Sequence, residues 1–235
     1  MKRRLIALII FSIAMAVVES SLVVYVRELY YPSGSYFPLN IATPPRIVLM
    51  ELFREFATIV MLISIAYLMS NSFIKRFAYF LIAFGIWDLA YYLWLKVFTN
   101  WPNSLLDWDL LFLIPVPWIG PVISPILCAL SMVLFGFILS YLVEDKGLNV
   151  SFTTLDWFLI IFGSIIIILS FSLDILNIII SKGFYKNYFS LLKNTDFLNE
   201  INSYIPKNFH WFYYLIGLIL VYIGFLRALL SNIIK

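Results

Sequence analysis

Apolar side chains fill this chain in long blocks separated by short polar turns, and the blocks rather than any motif set its first reading. A membrane crossing needs roughly 20 consecutive apolar residues, and counting on that basis predicts about six spans. They cover residues 5–26, 47–69, 77–98, 122–143, 154–180 and 209–230, with a loop at 181–208. The pattern predicts an all-α, polytopic transmembrane helix bundle, taken as one integral membrane domain over residues 1–235. Between the third and fourth spans lies DLLFLIPVPWIGPVISP, with prolines at 115, 117, 121 and 125. Proline removes a backbone donor and clashes with the preceding turn. A re-entrant or broken element is therefore predicted near residues 109–121, ahead of the fourth span.

Composition strengthens this reading. Of 235 residues, 63% are hydrophobic and 12% charged, with a mean hydropathy of +0.97. Soluble domains carry about 25% charged residues, and a soluble core cannot enclose this much apolar side chain. The net charge of +3 is small and dispersed, which excludes a nucleic-acid partner on electrostatic grounds. A single cysteine, Cys128, excludes an internal disulfide and reads as a small apolar side chain. The start, MKRRLIALIIFSIAMA, has the basic head and Ala14–Ala16 spacing of a signal peptide, but its apolar run continues to Val26 and reads as an uncleaved first span.

Lysine and arginine placement predicts orientation. Lys2, Arg3, Arg4, Lys75, Arg76, Lys146, Arg227 and Lys235 fall on one side. The opposite short loops hold only Arg27 and Arg46, although the 181–208 loop carries four lysines. Both termini are expected in the cytoplasm of a prokaryotic cell, with the chain in its cytoplasmic membrane.

The ionisable residues inside the apolar blocks carry the functional signal. Of Glu19, Glu51, Arg54, Glu55, Asp88, Asp109, Asp174 and His210, nearly all fall in the same, non-cytoplasmic half of the bilayer when counted along alternating helices, with Asp88 near the middle of its span. Each charge near the bilayer centre costs roughly 2.5–3.5 kcal/mol on insertion scales. Some must therefore pair, and Arg54 is the natural hub, because its fork holds two carboxylates. Its expected partners are Glu51 or Glu55, with Glu19 or Asp88 from another helix. One arginine cannot neutralise them all, so at least one carboxyl is left to bind a cation, hold a proton or face water. Polar stripes Ser170–Asp174–Asn177–Ser181 and His210–Tyr213–Tyr214 are expected to turn inward.

The plain reading of this cluster is an interhelical lattice that fixes helix register, with Trp101, Trp108, Trp118 and Trp211 as interfacial belt residues. The sharper reading is an intramembrane enzyme for a lipid-like substrate, with Glu51, Glu55 and Asp88 as candidate acids or bases. Glu19, Arg54, Tyr92, Asp109, Asp174 and His210 are then binding candidates. Tyr91, Tyr92, Phe112, Trp118 and Tyr213 would shape its apolar slot. Alternatives are a proton- or cation-binding transporter or channel component, and an accessory subunit of a membrane complex or oligomer. No cofactor is signalled. The Glu51/Glu55 spacing leaves a hard divalent cation open, but one histidine in the whole chain argues against zinc. P-loop, G-x-S-x-G, H-E-x-x-H and dinucleotide motifs are absent from the sequence.

The stretches VVESSLVVYVRELYYP, ELFREFATIVML, FGIWDLAYYLWLKV and WDLLFLIPVPWIGPV resemble an uncharacterised group of prokaryotic polytopic membrane proteins. The resemblance covers most of residues 17–125 and, more loosely, HWFYYLIG. It implies an integral inner-membrane protein and carries over no activity, cofactor or catalytic residue.

Overall fold

The apolar blocks become helices whose ends are set by local chemistry. In the computed structural model, which describes residues 2–30, 37, 44–186, 191 and 194–233, the chain forms seven helices and one hairpin among the described residues. They are α1 (Lys2–Tyr30), α2 (Pro45–Met69), α3 (Phe73–Thr99), β1 (Trp108–Phe112), β2 (Trp118–Pro121), α4 (Ile123–Ser140), α5 (Thr154–Ser181), α6 (Thr195–Asn202) and α7 (Trp211–Ile233). A π turn, Tyr141–Asp145, continues α4. Lys193, one of the four lysines of the 181–208 loop, and Lys235, both counted in the orientation argument, lie outside the described residues.

Caps explain several boundaries. α2 starts on the Pro44–Pro45 pair, where a missing N–H costs nothing. α3 stops at Asn100, which takes the left-handed conformation (φ 57°) and donates its N–H to the Lys96 carbonyl. α5 opens with a reciprocal capping box: Thr153 Oγ1 accepts from Asp156 N–H, and Asp156 Oδ2 accepts from Thr153 N–H.

Among the described residues, five helices are long and apolar enough to cross a membrane: α1, α3, α4 with its π turn, α5 and α7. The expected count of six is thus corrected to five. α2 is the difference. Arg46, Glu51, Arg54 and Glu55 occupy its first half, leaving Phe56–Met69 as its apolar run. That run rises about 21 Å, short of a hydrocarbon core of roughly 30 Å. The 181–208 segment also differs from a plain loop, because it contains α6, capped by the Asn194 side chain.

The proline-rich segment is a β-hairpin. β1 and β2 pair antiparallel, with Asp109 opposite Gly120 and Leu110 opposite Ile119. Pro115 and Pro117 fall in the connecting turn, where no ladder donor is needed. Two further backbone bonds, Val122 N–H to Asp107 O (2.9 Å) and Ile123 N–H to Leu105 O (2.8 Å), tie the hairpin base to the start of α4.

α3 is the central helix, packed against α1, α2 and α4, while α5 and α7 form a second unit. Small residues allow the closest approaches. A Cβ on Gly163 would lie 2.6 Å from the Gly217 carbonyl across the α5–α7 seam, and one on Gly85 would lie 2.6 Å from the Ala129 carbonyl across α3–α4. Tyr214 Oη donates to Ser124 O (2.8 Å), and Tyr222 shares a hydrogen bond with Ser131 (2.8 Å), joining α7 to α4. The start of α1 and the end of α7 emerge on one face, where Tyr79 bonds Glu144 and Asn232 bonds Ser151. The hairpin closes the opposite face against α4 and α5.

Candidate functional site

Between the α1–α4 group and the α5–α7 pair lies a cavity of about 670 Å³, within the range of small-molecule sites. Along α3 its wall runs from Phe77 to Tyr92, a rise of about 22 Å. Its two ends differ in chemistry. Towards the face of the termini it is lined by Phe77, Leu81, Phe135, Ile160, Val221 and Phe225, with the Phe135 and Phe225 rings stacked at 4.2 Å. Towards the hairpin its wall carries Glu19, Glu51, Arg54, Glu55 and Asp88 among aromatic rings. One aromatic wall comes from α3, where Trp87, Tyr91 and Tyr92 follow one another. The other comes from the hairpin and α5, where Trp118 packs between Phe112 and Phe171.

Arg54 is the hub of the polar end. Its Nε and Nη2 donate to Glu51 Oε2 at 2.9 and 2.6 Å, and its Nη1 is ion-paired with Glu19. The second Glu19 oxygen accepts from Thr58 Oγ1 (3.1 Å), which lies one turn along the same α2 face. The triad therefore joins α1 to α2 and uses both edges of the guanidinium fork.

Glu55, expected to share Arg54 or act in chemistry, has a different partner. Both its oxygens accept the Leu113 N–H, at 3.0 and 2.9 Å, so it anchors the end of β1 where the ladder stops. Asp109 is also engaged. It accepts from Arg27 Nη2 (3.2 Å), Tyr92 Oη (3.0 Å) and the Leu110 N–H (2.9 Å), and Arg27 in turn lies 4.1 Å over the Trp101 ring. Arg27 counted as a loop charge in the sequence; it is a buried residue of α1. Trp101 is accordingly its stacking partner as well as an aromatic of the hairpin face.

Asp88 is the exception. It lies deep in the bundle on the cavity wall, and among the described residues its carboxylate has no hydrogen-bond or ion-pair partner. Of the two interhelical partners expected for Arg54, Glu19 or Asp88, it is Glu19 that pairs with it; Glu51 and Glu19 fill the fork and leave Asp88 out. The indole N–H groups of Trp87 and Trp118 also find no acceptor among the described residues, but neighbouring atoms cover them.

Asp174 and His210 are brought together, away from this cavity. His210 Nε2 meets Asp174 Oδ1 at 2.9 Å, and Tyr204 Oη donates to Asp174 Oδ2 at 2.6 Å. Burial and the adjacent Asp174 carboxylate push the Tyr204 hydroxyl above the usual phenol range. This half-exposed trio ties α5, the segment after α6 and the start of α7 together. The inward stripe expected on α5 holds at Ser170, which is buried, and is corrected beyond Asp174: Asn177 and Ser181 are exposed, and Phe171, Ile175 and Ile179 face the interior. Tyr213 is likewise exposed rather than part of the slot. Residues of the wall that charge-counting missed include Cys128, Ser131, Phe135 and Phe171. The signal the sequence offered was the i, i+3, i+7 spacing of Cys128, Ser131 and Phe135, which puts them on one face of α4.

Among the described residues, no group of three or more His, Cys, Asp and Glu side chains converges as a metal-binding set. The Glu51–Glu55 pair is divided between Arg54 and the Leu113 amide. No protein-family model, curated protein or solved structure matches the chain, so a functional reading rests on the chemistry of the cavity.

Proposed function

We propose that this integral membrane protein is an intramembrane enzyme whose cavity holds one lipid-like molecule, with Asp88 as the acid or base at its polar end. The observation that carries the reading is the unpartnered Asp88 carboxylate on the wall of a long cavity that is otherwise largely apolar. Ionisable groups in a membrane interior are costly, and those retained without a structural partner mark functional positions. Glu51, Glu55, Asp109 and Asp174 all have structural partners, and so the acid/base role contracts from three candidates to one. Glu19, Arg54 and Tyr92 act as the polar frame around it, and the aromatic walls hold the apolar body of the substrate.

The transporter reading has less support. A carrier needs a polar gate towards the second face, and the far end of the cavity is lined by Phe77, Phe135 and Phe225. The test is a lipid comparison. Protein purified in native nanodiscs should carry one tightly held lipid-like molecule per chain, and cells expressing Asp88→Asn should accumulate a precursor of what wild-type cells contain. Wild-type protein without such a molecule, together with identical lipid extracts from the two strains, would refute the proposal. Substrate-dependent ion flux in proteoliposomes would replace it with the transporter reading.

A further inference from the structure

Resting on that reading of the cavity, the geometry points to the charge of its ligand: we infer that the pocket selects a long-chain amphiphile with a compact cationic head, of ammonium size, and rejects anionic heads. Four acidic side chains and one basic one line the cavity among the described residues. The basic one, Arg54, has its fork occupied by Glu51 and Glu19, so it has no edge to offer a phosphate or carboxylate. An anionic head would have to displace one of these carboxylates and leave it unpaired in the bundle, a penalty that cationic and neutral heads avoid.

Asp88 supplies the complementary attraction. Its carboxylate is the acid on this wall with no hydrogen-bond or ion-pair partner among the described residues, and Trp87, Tyr91 and Trp118 line the same cavity. Aromatic faces attract a cation through the ring quadrupole, most strongly where water is excluded. A cavity wall that carries an unpaired carboxylate and aromatic rings is therefore a seat for a desolvated ammonium head. The apolar remainder, down to Phe135 and Phe225, takes the chain. Arg27 and the Asp174–His210 pair lie off this wall and do not alter its sign.

The test is a competition read by native mass spectrometry. Nanodisc-embedded protein is incubated with an equimolar mixture of cetyltrimethylammonium, cetyl alcohol and cetyl phosphate, which share one chain and differ in head charge. Wild type should retain the ammonium at least about tenfold over the phosphate, the effect of one charge contact even at nearly water-like screening. Asp88→Asn and Asp88→Leu should both reduce that preference while still retaining the alcohol, the remainder being the rejection of anionic heads by the filled Arg54 fork, and Asp174→Asn should keep it in full. Equal retention of the three, a preference for the phosphate, or an unchanged preference in the Asp88 variants overturns the charge assignment but leaves a lipid cavity standing. Retention of none of them by folded wild type overturns both the assignment and the cavity reading beneath it.

Discussion

Replacing Asp88 should make the protein more stable. A structural carboxylate cannot be removed without leaving its partner stranded, whereas Asp88 has no partner to strand. On insertion scales an aspartate at a helix centre costs roughly 2.5–3.5 kcal/mol, and leucine contributes about −0.3 to −0.6 kcal/mol, so their difference sets an upper limit near 3–4 kcal/mol. The cavity lowers it, because water can reach a carboxylate on its wall and the new leucine gains only partial packing. Asp88→Leu is therefore expected to stabilise the fold by roughly 1–3 kcal/mol, and Asp88→Asn by less. The control is Asp109→Asn, which leaves the buried Arg27 guanidinium without its carboxylate and should cost about 3–5 kcal/mol. Steric trapping in bicelles measures both as equilibrium unfolding free energies under native lipid-like conditions. A loss of 1 kcal/mol or more in Asp88→Leu or Asp88→Asn would show that the carboxylate has a structural role and refute its assignment as the left-over acid.

Other consequences of the geometry are open to the same assay. Arg54→Gln leaves Glu19 and Glu51 facing each other without a counter-ion and should destabilise by about 3–5 kcal/mol; a double-mutant cycle with Glu19→Gln should return a coupling of at least about 0.5 kcal/mol, and additivity would exclude the pair. Glu55→Ala removes two charge-assisted acceptors from the Leu113 amide, at a cost of about 1.5–3 kcal/mol, and hydrogen exchange should quicken at the hairpin turn while α3 stays protected. Gly163→Val forces a side chain into the Gly217 carbonyl at the α5–α7 seam and should abolish folding or part the two helices; a disulfide scan that still joined α5 to α7 would contradict this. Tyr204 holds its proton more tightly folded than unfolded, so the stability it contributes is present below about pH 10 and is lost as pH rises above that value. Tyr204→Phe should flatten this alkaline loss.

What the sequence made legible, and what it hid, follow from the kind of partner each residue takes. Helices α1, α3, α4, α5 and α7 were visible as apolar runs, because lipid requires every backbone group to be satisfied within the segment. Arg54 as hub was visible too, since Glu51 is fixed by i,i+3 spacing and Glu19 by depth. The prolines showed where helix had to stop, but pairing Asp109 with Gly120 is a long-range choice that no local propensity encodes. On α5, spacing identified a polar stripe without fixing its direction. Its later members, Asn177 and Ser181, lie on the exposed side of the helix, away from any buried partner that would draw them inward.

The decisive quantity, which carboxyl remains over, could not be obtained by matching charges alone. Side-chain arithmetic sets Glu19, Glu51, Glu55 and Asp88 against one arginine and leaves the remainder ambiguous. The ambiguity is resolved by groups that carry no formal charge or that counted as loop residues: the Leu113 amide takes Glu55, and Arg27 with Tyr92 takes Asp109. A backbone N–H has no signature in a sequence, and its availability at residue 113 depends on the hairpin turn, which exists only once the fold is formed. Asp88 is therefore defined by subtraction at the level of tertiary structure. For the same reason its role is separable by mutation, since removing it should leave the hairpin, the Arg54 triad and the Arg27–Asp109 pair intact.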